Sequence, residues 1–182
     1  MADPPSVEQL VEAARRGDRG AAKGLYDRSF RWVERLSFRL MSSRAEAEDV
    51  MQESYLQAFL NLGQLRDSAR FDGWLRSIVI GTAHKRTRRL RLWKRASRDG
   101  TELDHLETTD ASPEVRAELS RAMALVSGLP SELRMPYVLR YVEGMTVPEI
   151  AQATSWSERT IKRRIQAAVS KLEKRGGPHG SR

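Results

Sequence analysis

Residues Met145 to Lys174 read MTVPEIAQATSWSERTIKRRIQAAVSKLEK, and this run decides the fold. Thr146 and Glu149 stand three apart ahead of Ile150 and Ala151, the spacing of a capping box that opens a helix. Pro148 falls in the first turn, where a missing N–H costs little. Ser157 is a second N-cap, followed by apolar positions Ile161, Ile165, Ala168, Val169 and Leu172 at helical spacing. A short helix, a break at Thr154–Trp156 and a basic second helix make a helix-turn-helix.

Working outward, the chain of 182 residues has room for one medium domain or two small ones. An apolar share of 40% with 7% aromatics suits helical cores better than β-sandwiches. The formal charge of +8 favours a polyanionic partner, because the cations cluster instead of spreading evenly. With no cysteine, disulfides, thiolate metal sites and cysteine catalysis are excluded. The N-terminal MADPPSVEQL lacks the basic and apolar regions of a signal peptide, and the short run Ile78–Ile80 is far below a membrane span. A cytoplasmic protein without membrane insertion is expected.

Val7, Leu10, Val11 and Ala14 keep helical spacing, with Gly17 and Gly20 marking that helix's end. Ala21, Ala22, Leu25, Tyr26, Phe30, Val33, Leu36 and Leu40 trace a longer amphipathic helix. Ser42 or Ser43 caps a third, from about Ala45 to Leu62, whose inward stripe is Ala47, Val50, Met51, Ser54, Tyr55, Ala58 and Leu62. Gly63 to Gly73 reads as a loop, and a helix follows from Trp74 with Leu75, Ile78, Val79 and Thr82 inward. Strand-like alternation is nowhere found, so the expected fold class is all-α.

The charge pattern then changes abruptly. Gly73 to Arg98 holds nine Lys or Arg residues and no carboxylate, whereas Asp99 to Glu114 holds six carboxylates and no cation. The second segment has too little apolar content to fold alone and reads as an acidic linker. Helical spacing resumes at Val115, Leu119, Met123 and Val126, and after Gly128–Pro130 at Leu133, Tyr137, Val138 and Tyr141, with Gly144 as a C-cap. The expected architecture is two small helical domains, 6–95 and 115–176, joined by a flexible linker at 96–114.

Three surfaces are candidates for chemistry. On the last helix, burying Ile161, Ile165 and Leu172 turns Arg159, Arg163, Gln166 and Ser170 outward, with Thr160, Lys162 and Arg164 on the flanks. Arg and Gln read base edges, and Lys and Arg neutralise phosphates. A merely solvated basic face is the alternative, and the capped helix before it favours DNA. On the basic helix after Trp74, Arg76, Ser77, His84, Arg88 and Arg91 project outward, with Ile80 the main apolar residue among the outward positions. Nucleic acid is favoured there over a solvated face, less strongly than on the last helix, and a membrane surface is the least favoured reading. On the helix from Ala45, Asp49, Gln52, Glu53, Leu56 and Leu60 lie opposite the core stripe. Leucines beside carboxylates mark either a partner surface or packing on a further helix. Glu46, Glu48, Asp49 and Glu53 lack a histidine partner and face different directions, so no metal site is expected. No nucleotide-binding or hydrolase motif occurs, and His84, His105 and His179 are scattered, so neither an enzyme nor a cofactor is expected.

The order of parts resembles one family. AEAEDVMQE (Ala45–Glu53), FDGWLRSI (Phe71–Ile78), an acidic linker, LPSELR (Leu129–Arg134) and VEGMTVPEIA with SERTIKRR look like the extracytoplasmic-function sigma factors of bacterial RNA polymerase. The likeness runs from about Ser6 to Lys174. It implies a region 2 domain and a region 4 domain. Core RNA polymerase would bind through its β′ clamp helices at Asp49, Gln52, Glu53 and Leu56, and through its β flap. Gln64–Arg70 and the basic helix, with Arg76, Ser77, Gly81, His84, Lys85, Arg88 and Arg91, would engage and melt the promoter −10 element. Ser157, Arg159, Thr160, Lys162, Arg163, Arg164 and Gln166 would serve the −35 element, and an anti-sigma factor would hold the chain inactive. Gly81 and Lys85 stand where many members carry Asn and Asp, and Thr154–Ser155 replaces the usual Leu-Gly of the turn. A stand-alone helix-turn-helix regulator is the competing reading.

Overall fold

The computed structural model describes residues 4–41, 43–96 and 122–175. Among these every regular element is helical: α1 (Val7–Arg15), α2 (Arg19–Leu40), α3 (Arg44–Leu60), α4 (Phe71–Ala96), α5 (122–127), α6 (Ser131–Tyr141), α7 (Val147–Thr154) and α8 (Glu158–Glu173). The expected all-α class holds. The linker expected at 96–114, and the helical spacing from Val115 to Leu119, lie outside the described residues save Ala96 at the end of α4.

Local chemistry starts most of these helices. Ser6 and Gln9 form a capping box on α1, Asp18 accepts from the Gly20 and Ala21 amides at α2, and Ser43 accepts from the Glu46 amide at α3. Gly17, at φ 91°, ends α1 as expected, but Gly20 lies inside α2 because Asp18 starts that helix two residues earlier. Helix α4 likewise begins at Phe71, before Trp74. Asp67 caps a short 3-10 turn at Ser68–Arg70 that runs directly into it.

Helices α1 to α4 pack around Val11, Leu25, Val33, Leu36, Val50, Phe71, Leu75 and Val79. Inside this core the Tyr55 hydroxyl and Ser29 Oγ lie 2.9 Å apart, and burial raises the phenol to about 12. Helices α6 to α8 pack around Met135, Val138, Leu139, Ile150, Ile161, Ala168 and Leu172. The buried Arg134 donates to the Ser127 carbonyl at 3.0 Å, and burial lowers its guanidinium to about 10.

The two groups of helices meet, with α7 against α4 and α6 against α2. That contact explains one correction. Ile80, read as outward, is fully buried, as is Ala83, because α4 is covered on more than the α2–α3 side.

Candidate nucleic-acid interface

The helix-turn-helix forms as its spacing requires. Thr146 and Glu149 complete the capping box, with the Thr146 amide donating to Glu149 Oε2 at 2.7 Å. Ser155 closes α7 in the left-handed region at φ 58°, and Ser157 accepts from the Thr160 amide to start α8. A non-glycine residue at positive φ carries a steric cost, which the packing on both sides of the turn offsets. Ile161, Ala168 and Leu172 are buried, with Ile165 and Val169 half-buried, so this stripe sets the helix rotation.

The rotation exposes Arg159, Lys162, Arg163 and Gln166, while Thr160 is half-buried and shares a 2.9 Å hydroxyl contact with Ser157. Lys162 pairs with Glu158 at 3.7 Å. Arg164 turns the other way. Its guanidinium lies 4.1 Å from the Trp156 ring centroid and 3.7 Å from Glu132, with the side chain 15% exposed. Beside α8 an open groove of about 360 Å³ is lined by Tyr141, Val147, Ile165 and Val169, with Arg140, Lys162 and Gln166 at its polar positions.

On α4 the expected face is divided. Ser77, Lys85 and Arg88 are exposed, whereas Gly81 faces α7 and His84 faces the turn that follows it. A Cβ at Gly81 would come 3.9 Å from the Ala153 carbonyl, and the His84 ring meets Trp156 edge-on at 4.6 Å. Burial, then the Arg164 and Arg88 cations, hold His84 below the ordinary histidine value. Arg76 is half-buried and paired with Glu143. The Arg91 side chain lies outside the described residues.

The α3 surface keeps Gln52, Glu53, Leu56 and Leu60 exposed, the leucines by 61% and 75%. The alternative that they pack on a further helix finds no support among the described residues. Asp49 is exposed but engaged: it accepts from Arg86 Nη2 of α4 at 2.5 Å. Glu53 accepts from Gln57 at 3.0 Å.

The loop between α3 and α4 is pinned in a way that periodicity does not show. Leu62 and Leu65 are buried under it, and Arg15 of α1 donates to the Leu62 carbonyl at 3.2 Å and to the Leu65 carbonyl. Glu12 accepts from Ser68 Oγ at 2.7 Å. Gln64, Arg66, Asp67 and Arg70 are left facing solvent.

Two family models match the chain: Sigma-70 region 2 over residues 25–93, and Sigma-70 region 4 over residues 119–172. The chain is 31% identical over 177 residues to the RNA polymerase sigma-H factor of Pseudomonas aeruginosa, covering 92% of both chains. It is 29% identical over 189 residues to the ECF RNA polymerase sigma-E factor of Haemophilus influenzae, covering 98% of this chain and 99% of that one. In fold it is similar to the sigma factor RpoE of Bartonella quintana, solved with the anti-sigma factor NepR. There the TM-score is 0.62 and the identity 16%, over 84% of this chain and 94% of that one. It is also similar to CnrH, solved with the cytosolic domain of CnrY, at TM-score 0.56 and 24% identity, over 92% of this chain and 94% of that one. A capped helix-turn-helix, a basic helix on a separate bundle and end-to-end kinship with a sigma factor meet in one molecule, and the chain belongs to the extracytoplasmic-function sigma factors of RNA polymerase.

Proposed function

We propose that this sigma factor docks on core RNA polymerase through the α3 face of Gln52, Glu53, Leu56 and Leu60, with Asp49 at its edge. It then places two separate helices on one promoter. The exposed leucines among carboxylates carry the reading, because a helix that met only water would gain nothing from them. The apolar groove beside Tyr141 and Ile165 is a second docking surface, suited to the β flap.

Promoter contact is divided between the domains, 6–95 and 115–176, with 96–114 as the tether. Arg159, Arg163 and Gln166 face the major groove at the −35 element, Lys162 meets phosphate, and Ser157 and Thr160 set the start of α8. Arg164 positions the turn through Trp156 and leaves the bases to its neighbours. The loop Gln64–Arg70, with Arg76, Ser77, Lys85, Arg88 and Arg91, engages the −10 element. Extruding a base there costs a few kcal/mol, which loop and phosphate contacts offset. Gly81 and His84 join once α7 leaves α4. An anti-sigma factor is the proposed regulator, and the two solved relatives, each bound to such a partner or to a cytosolic domain, support it.

Run-off transcription from genomic DNA with core enzyme tests the reading. Discrete promoter-dependent products are expected only when both are present. Tight promoter binding by the chain alone, with no association with polymerase, would replace it with a stand-alone regulator.

A further inference from the structure

Glu143 lies in the turn after α6, with its side chain 11% exposed. One carboxylate oxygen accepts from Arg39 Nη1 at 2.8 Å and the other from Arg76 Nη1 at 3.1 Å. The two guanidiniums come from the last turn of α2 and the first part of α4, which belong to one packed bundle, whereas the carboxylate comes from the other group of helices. Arg76 also lies 5.5 Å from the Trp32 ring centroid, which limits where its head can go. Helices α2 and α4 pack on one another within that bundle, so their spacing holds both side chains within reach of one point. Two guanidiniums converging on one point need an anion between them.

We propose that Arg39 and Arg76 form a two-armed site for a backbone phosphate of the promoter, and that Glu143 fills it as a built-in anion mimic while the two groups of helices are together. The proposal rests on the reading that α4 faces the −10 element. The chemistry fits. A phosphodiester offers two non-bridging oxygens to separate guanidiniums, as the carboxylate does here, and arginine suits that pairing better than lysine. It also adds Arg39, which helical spacing marks only as a polar residue at the end of α2. Glu143 and phosphate therefore exclude one another. The packed arrangement weakens DNA binding by occupying the site, and polymerase, by holding the two groups of helices apart, vacates it.

The test uses the full chain, alone and with core enzyme, and a fluorescent fork-junction DNA carrying the −10 strand of a promoter mapped by run-off transcription. Binding is followed by anisotropy over a salt series. Glu143→Gln should tighten binding by the free chain about two- to tenfold and leave the holoenzyme unchanged. Arg39→Gln should weaken the holoenzyme by a similar factor and reduce the slope of log K against log salt by about one. On the Arg39→Gln background, Glu143→Gln should lose its effect, because mimic and phosphate share the site. Thermal melting checks each fold, and Arg39→Lys, which keeps the charge, should restore the salt slope. An unchanged holoenzyme affinity and slope in Arg39→Gln overturns the proposal. So does a Glu143→Gln gain that persists without Arg39. Absence of run-off products from the parent chain would instead remove the promoter reading on which it stands.

Discussion

Replacing both Leu56 and Leu60 with alanine should separate docking from folding. Fully burying a leucine side chain is worth about 1.5–3 kcal/mol. Leu56 has 61% of its surface free and Leu60 has 75%. Scaled by those fractions, a partner that covers them stands to gain about 1–2 kcal/mol from each. The double variant should therefore weaken polymerase binding by about 2–4 kcal/mol, roughly 30- to 1,000-fold in Kd. Neither side chain supports the described core, so the melting temperature should move by no more than a surface change does, within about 0.5 kcal/mol. Titrating labelled chain with core enzyme gives the affinity, and a melting curve gives the control. Parent-like affinity with an intact fold would refute the reasoning, since the exposed leucines would then serve another partner.

Other perturbations separate roles that share a surface. Glu53→Arg should weaken polymerase binding with little effect on melting, whereas Asp49→Arg should also cost about 1 kcal/mol of stability, because it breaks the pair with Arg86 and sets two cations together. Differential scanning calorimetry beside the same titration distinguishes them. Arg163→Ala should cost about 1–3 kcal/mol and relax selectivity at one −35 position, measured by competition among promoter variants; an equal loss on all variants marks a phosphate contact. For His84, the packed arrangement favours the neutral imidazole, which faces Trp156 of the turn, Arg164 of α8 and Arg88 of its own helix. Its lowered value means that contact between α4 and α7 is full above about pH 6.5 and weakens as pH falls below it, when the separated form takes up a proton. Energy transfer between labels on α4 and α8 should report growing separation on acidification, and His84→Gln should flatten that response.

Much of this was legible because helices announce themselves locally. Ser43, Thr146 and Ser157 each cap the helix that their spacing predicts, and the stripe from Ile161 to Leu172 sets the face of α8. What escaped lies at the far ends of long side chains. Ile80 and Ala83 are buried on a helix that also meets α7, a neighbour more than sixty residues away in sequence. Asp49 reads as a free carboxylate until Arg86 is seen beside it. Arg164 shares its helix with Arg163, yet the aromatic at Trp156 draws it to the opposite side. Periodicity assigns faces, and it is silent on which distant residue fills the space in front of them.

The bond from Arg15 to the carbonyls of Leu62 and Leu65 has a consequence for the order in which the chain becomes competent. The segment between α3 and α4 takes its shape partly from a residue about fifty positions earlier, so its contacts are non-local and are completed after the helices on either side exist. During synthesis α1 emerges first and must wait for its client. Arg15→Ala would leave Val11 in the core and the outward leucines and recognition helix in place while removing the brace under Gln64 and Arg66, leaving a molecule able to dock but poorly set to open DNA.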